Sequence, residues 1–309
     1  MLFRLTENVF VQDDSGDPGN RVNWAPAHAP TAAGPTPLTH VIQFYRAAGA
    51  AQEVQHLTAA SVRKAQTHAA FPVQLLAAPL DGEADCVPQG FSPTPPLRRT
   101  IADLHKFQIP RRLPLLFDIL DLAAAQADPA GYLIYTNSDI CLAPNFYNSL
   151  RALLNMGFDS VIINRRTVGN LHDYDPNPEL ATADVGTKHP GFDCLVFPNE
   201  WVAKFLKSES CIGADWVMRP LLYNLVARAD RLLIARAMHL TYHYGDDQIS
   251  RTAAFNEYTT HNQIQMRDTL AALCSGPRQF EKLRAFCAAH GEMFRPTINS
   301  PPPTSLKPK

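Results

Sequence analysis

Apolar residues in this chain fall into short unbroken runs that alternate with longer segments striped at helical spacing. The runs cover residues 39–45, 73–78, 132–135, 160–164, 189–197 and 232–244. They are rich in β-branched and aromatic residues, and each predicts a strand. Runs without alternation, such as 132–135, predict strands covered on both faces. The run 232–244 does alternate, with Ile234, Met238, Leu240 and Tyr242 facing one way and His239, Thr241 and His243 the other. Between the runs, Val54, Leu57, Val62 and Ala65 stripe a helix over 50–67. Leu113, Leu116, Phe117 and Leu120 stripe another over 113–125, with Pro114 suited to its first turn. Asn145 caps a helix faced by Phe146, Leu150, Leu153 and Leu154; Asn199 caps a short one, and Asp215 opens one running through Leu221, Leu222, Leu225 and Val226. Strand, helix, strand at the start implies parallel pairing with a right-handed crossover.

The remaining segments set the limits of one domain. Residues 12–37 are rich in Asp, Gly, Pro and Ala and read as loop, so 1–37 is expected to be an irregular N-terminal segment. Residues 38–295 form one α/β domain with a mostly parallel central sheet and C-terminal helices, and 296–309, with its Pro triplet, reads as a disordered tail. The stretch 167–190 is long, polar and dotted with Gly, Asp and Pro, and loops of that length are usually functional or mobile.

Composition narrows the function. The 309 residues are 46% hydrophobic and 18% charged, as in ordinary globular proteins. A formal net charge of −1 argues against a nucleic-acid binder, which needs a basic face. No apolar run approaches the ~20 residues of a membrane span. The first residues lack a secretory apolar core, which makes a cytoplasmic location the expectation. Six cysteines without a C-x-x-C pair are expected to be reduced and mostly buried.

The stretch 131–142 carries the chemistry. A buried strand, Tyr132 to Tyr135, runs into Asn137, Ser138 and Asp139. In an extended segment Asn137 and Asp139 point to the same side, and the carboxyl end of a buried strand is where open α/β sheets bind ligands. Both residue types also favour turns, so spacing alone leaves a simple turn open. Lys106, Arg111 and Arg112, placed before an apolar helix, suit phosphate oxygens or form a solvated basic turn. His239 and His243 share a face of the last predicted strand about 13 Å apart, so one metal cannot take both, and His243, at the strand's end, is the better placed.

Hydrophobic strand, Asn-Ser-Asp, apolar residue: this pattern resembles the Asp-x-Asp motif of nucleotide-sugar-dependent glycosyltransferases of the GT-A fold, with Asn137 in place of the usual Asp. The resemblance extends over about residues 38–247. It implies transfer of a sugar from a nucleotide diphosphate donor to a glycan or other hydroxyl acceptor. Asp139 and His243 would hold Mn²⁺ or Mg²⁺, and Asn137, Ser138, Tyr45, Asp81, Lys106, Arg111 and Arg112 would bind the donor. His189, Asp193 and Trp216 would lie on the acceptor side, and Asp215 would be the general base. Two other readings stay open: a non-catalytic nucleotide-sugar binder, and a metal-dependent phosphoesterase, which should need more carboxylates.

Overall fold

The apolar runs become strands because both of their faces are covered. The computed structural model describes residues 1–14, 36–245 and 252–289. The chain opens with β1 (Leu2–Arg4) and β2 (Val9–Gln12), then β3 (Leu38–Ile42), α1 (Ala50–His68), β4 (Val73–Ala77) and the short β5 (Ser92–Pro93). After α2 (Ile101–Leu104) and α3 (Leu116–Ala124) come β6 (Tyr132–Thr136), β7 (Cys141–Leu142), α4 (Phe146–Asn155), β8 (Ser160–Ile163) and β9 (Arg166–Val168). β10 (Thr187–Lys188), β11 (Cys194–Pro198), α5 (Arg219–Arg228), β12 (Leu232–Ala235), β13 (Thr241–Tyr244), α6 (Asn256–Leu273) and α7 (Pro277–Ala289) complete it.

Among the described residues, nine strands form a sheet in the order β1-β2-β12-β8-β11-β6-β3-β4-β5. It is mostly parallel, as expected; β1 at one edge and β11 within run against the rest. Successive residues feed opposite faces. Leu133, Tyr135, Leu232 and Ile234 pack with α3, α5, α6 and α7, while Ile134, Leu233 and Ala235 pack with α1 and α4. Burial on both sides explains runs that do not alternate. His40, fully buried in β3, is accommodated by two hydrogen bonds, Nδ1 with the Tyr147 hydroxyl at 2.8 Å and Nε2 with the Thr136 hydroxyl at 2.9 Å. A second sheet, β10-β9-β13-β7, lies on three chain crossings: β6 runs on into β7, β8 into β9 and β12 into β13.

Four expectations are corrected. The first residues are not irregular: β1 pairs with β2, and β2 pairs in parallel with β12, Val9 opposite Leu232. The predicted last strand is two strands in different sheets, parted at His239, whose φ of 51° breaks an extended run. Residues 113–115 are extended rather than helical, because Pro114 bridges Thr100 and Leu115 bridges Cys211. Asp215 is not a helix cap; it lies in a turn, and α5 begins four residues later with Met218 at its N-cap position. The predicted tail lies outside the described residues. All six cysteines are free, four of them buried, and no helix among the described residues is long and apolar enough to cross a membrane.

Candidate functional site

Parallel pairing aligns the carboxyl ends of five strands. Ile42 stands beside Ala77 and Thr136, Cys194 beside Thr136 and Ile163, and Ile163 beside Ala235. The edge therefore collects the segments that leave β3, β4, β6 and β8 together with the one that enters the antiparallel β11.

From β6 the chain enters a turn rather than an extended tip, since the Ile140 N–H donates to the Asn137 carbonyl at 3.3 Å. The same-side geometry expected of Asn137 and Asp139 does not apply. Asn137 Oδ1 instead accepts from the Tyr135 hydroxyl at 3.1 Å, and Ser138 is buried. The turn delivers Cys141 and Leu142 to β13, with Tyr242 opposite Cys141. That register brings His243 alongside Asp139, Nε2 lying 3.4 Å from Oδ2. His243 Nδ1 is 2.9 Å from the Gly245 carbonyl, the arrangement that puts the proton on Nδ1 and leaves the Nε2 lone pair facing Asp139 in the neutral ring. His239 stands outside this arrangement, before β13 begins.

The two partners shift each other's titration. Burial of the His243 ring disfavours its charge, but the Asp139 hydrogen bond and negative charge outweigh that and raise its pKa above the ordinary imidazole value. Burial works against Asp139's charge too, and its carboxyl is still held below the ordinary range by His243 and then by the Arg165 guanidinium.

Arg165, two residues beyond β8, and Asp193, one residue before β11, face each other across the same edge. Arg165 Nη1 is 3.5 Å from Asp193 Oδ1, and both side chains are 10% exposed. His189 Nδ1 lies 3.4 Å from Asp193 Oδ2 and accepts from the Gly191 N–H at 3.0 Å. The polar stretch between is firmly pinned: Arg166 donates to the Val185 and Gly186 carbonyls at 2.7 and 3.0 Å, and Lys64 reaches Glu179 at 2.6 Å. The sequence signal for Arg165 was the basic pair directly after a buried strand, to which the reading of the motif assigned no role.

Other expected residues separate into two groups. Tyr45, 44% exposed, and Asp81 lie just beyond β3 and β4, and the Arg112 guanidinium joins them by donating to the Asp81 carbonyl at 3.0 Å. Lys106 is exposed on the connection between α2 and α3. Arg111 faces another way: its guanidinium lies 4.4 Å from the Phe255 ring centroid, while its backbone N–H donates to the Tyr258 hydroxyl at 2.8 Å. Among the residues expected to face the acceptor, Trp216 is linked to the neighbour of Asp193, because Arg219 lies over both the Phe192 ring, at 4.7 Å, and the Trp216 ring, at 5.7 Å. The Asp215 carbonyl accepts from Asn262 at 3.1 Å.

One carboxylate and one imidazole fit part of a hard-cation site. Asp139 Oδ1, shut from water without a hydrogen-bond partner, is an oxygen that a cation would satisfy. Among the described residues no group of three His, Cys, Asp or Glu could hold a metal, so a cation at Asp139 would need further ligands from outside the chain.

No family model matches the chain, and no curated protein matches it. Solved structures do resemble it in fold. One is 4-diphosphocytidyl-2C-methyl-D-erythritol synthase from Anaerococcus prevotii, 11% identical, with 74% of this chain and 99% of that one covered and a TM-score of 0.36. Another is the galactosyltransferase LgtC in complex with donor and acceptor sugar analogs, 8% identical, with 74% and 96% covered and a TM-score of 0.36. These are likenesses of fold at low identity, and any role for a side chain has to rest on the residues of this chain.

Proposed function

We propose that this chain transfers a sugar from a nucleotide diphosphate donor to an acceptor hydroxyl. The observation that carries the reading is the Asp139–His243 pair at the carboxyl edge of the sheet, 3.4 Å apart, beside a buried Asp139 oxygen without a partner. Asp139 and His243 would hold Mn²⁺ or Mg²⁺, which would neutralise the charge of the departing diphosphate as a Lewis acid. The rest falls to the chain. Gly245 fixes the His243 tautomer, Tyr45 and Asp81 receive the nucleoside, and Arg112 and Lys106 bring positive charge to the donor side. Asn137 and Ser138 shape the turn that holds the donor. His189, Asp193 and Trp216 line the acceptor side, with Asp215 taking the acceptor's proton.

The test is calorimetric titration with a panel of nucleotide sugars in Mn²⁺ and in EDTA, with product analysis alongside. Transfer, or slow donor hydrolysis, is expected in Mn²⁺. Asp139→Asn should abolish Mn²⁺-dependent donor binding and leave Tm within a few degrees. His243→Ala should weaken the metal dependence, and His239→Ala should not. Donor binding in Mn²⁺ that survives Asp139→Asn refutes the metal assignment, and binding without turnover supports a nucleotide-sugar binder instead.

A further inference from the structure

Arg165 is buried where a cation is costly, and its contacts leave it incompletely satisfied. Its Nε is shut from water and lacks a hydrogen-bond partner, and the Oδ2 of its ion-pair partner Asp193 is in the same state. At 3.5 Å the pair is longer than a bidentate Arg–carboxylate contact. Geometry brings the guanidinium to the edge that carries Asp139: Thr136 and Ile163 flank Cys194 on either side, so the segments bearing Asp139, Asp193 and Arg165 adjoin the sheet side by side. Two carboxylates from neighbouring strands thus lie near one fixed cation. A half-satisfied buried ion cluster is a poor source of stability, and its charge is better suited to acting on a ligand.

The charges of the cluster indicate how. With His243 neutral, Asp139 and Asp193 contribute −2 and Arg165 contributes +1, a net −1. Without Arg165 the same cluster would be −2, more welcoming to a divalent cation and more hostile to a diphosphate. The usual first Asp of the motif is here Asn137, whose Oδ1 is already engaged by Tyr135, so the turn contributes a single carboxylate of its own.

We propose that Arg165 is a positioning residue that serves as the internal counter-charge of this site. By holding Asp193 at the sheet edge from which Asp139 emerges, it sets how affinity is divided between a divalent cation and a nucleoside diphosphate. The inference rests on the donor-binding reading of the same site.

Calorimetry on the full chain tests it, with Mn²⁺ alone and with UDP and GDP in EDTA as the probes. Arg165→Gln should tighten Mn²⁺ binding and weaken nucleoside diphosphate binding, each by about fivefold or more, the effect of one nearby unit charge even at the dielectric of water. Arg165→Lys, which restores the charge, should return both constants toward those of the natural chain. Asp193→Asn, which removes the ion pair but keeps the guanidinium, should move both the opposite way, and it tests the idea if Arg165→Gln fails to fold. A merely structural role predicts that both affinities weaken together. That result, or constants unchanged in Arg165→Gln and Asp193→Asn, overturns the counter-charge while the donor reading stands. If the natural chain binds neither Mn²⁺ nor either nucleoside diphosphate, the donor reading fails and takes the counter-charge with it.

Discussion

His40 gives this fold a defined sensitivity to acid. The ring is fully buried in β3, between the Tyr147 hydroxyl of α4 and the Thr136 hydroxyl that ends β6. Burial disfavours the imidazolium and drives the pKa from 6.5 down to about 3. Because the folded value is the lower one, protons bind preferentially to the unfolded chain. The stability tied to the neutral ring is fully present above pH 6.5 and is lost as pH falls from 6.5 toward 3. The loss runs at about 1.4 kcal/mol per pH unit, so at pH 5 it amounts to about 2 kcal/mol relative to pH 7.5. His40→Gln removes the titration at the cost of weakened hydrogen bonds, each worth about 1 kcal/mol at neutral pH. Urea unfolding of both proteins at pH 7.5 and pH 5.0 isolates His40, because titrations elsewhere cancel in the difference. The natural chain's advantage over the variant should shrink by about 2 kcal/mol on going to pH 5.0. An advantage that stays constant within about 0.5 kcal/mol would refute the argument, since even a tenfold drop in the ring's proton affinity on folding is worth about 1.4 kcal/mol.

Other predictions concern named contacts. Arg111→Ala should lower Tm by removing the guanidinium from the Phe255 ring, and leave donor KM unchanged; a raised KM with unchanged Tm would return Arg111 to the donor site. Asp215→Asn should cut turnover by roughly 10²-fold and leave donor affinity alone, as expected of a general base; near-normal turnover would reduce Asp215 to a turn residue. His239→Gly should be neutral or stabilising by about 0.5–1 kcal/mol in urea unfolding, because φ of 51° suits glycine; a clear loss would mean that the imidazole is needed there.

Features determined by their own neighbourhood were legible in the sequence, and features determined by distant partners were not. β3, β4, β6 and β8 were legible because burial on both faces requires unbroken apolar runs, and α1 because its 19 residues keep one stripe toward the sheet. β1 and β2 were missed because both are very short, and β2, on which β1 pairs, is held in the sheet by β12, more than 200 positions away. The two-residue β7 depends likewise on β13. The run 232–244 was misread because neither Gly nor Pro marks the break at His239; alternation persists in the letters after the backbone has left the sheet. Asp139 was found through the Asn-Ser-Asp pattern. Arg165 was passed over because its meaning comes from Asp193, 28 residues further on, at the start of a strand that runs the other way.

The candidate residues sit where they do because of how the two sheets share their strands. Three segments leave the large sheet and enter the small one: residues 137–140 between β6 and β7, 164–165 between β8 and β9, and 236–240 between β12 and β13. The first carries Asp139, the second Arg165, and the third delivers His243 into β13. A crossing strand must give up ladder pairing in one sheet before it gains pairing in the other, so side chains at the crossings are released from regular packing. That accounts for the buried polar atoms without hydrogen-bond partners on Asp139, Asn164 and Arg165. Both ends of each crossing are nevertheless fixed by registers such as Thr136 with Cys194 and Tyr242 with Arg166. Unsatisfied groups on rigidly anchored backbone are what preorganisation toward a charged ligand requires, because binding then meets polar atoms already in place. The small sheet thereby holds His243 against Asp139 and keeps Arg165 at the same edge, against Asp193.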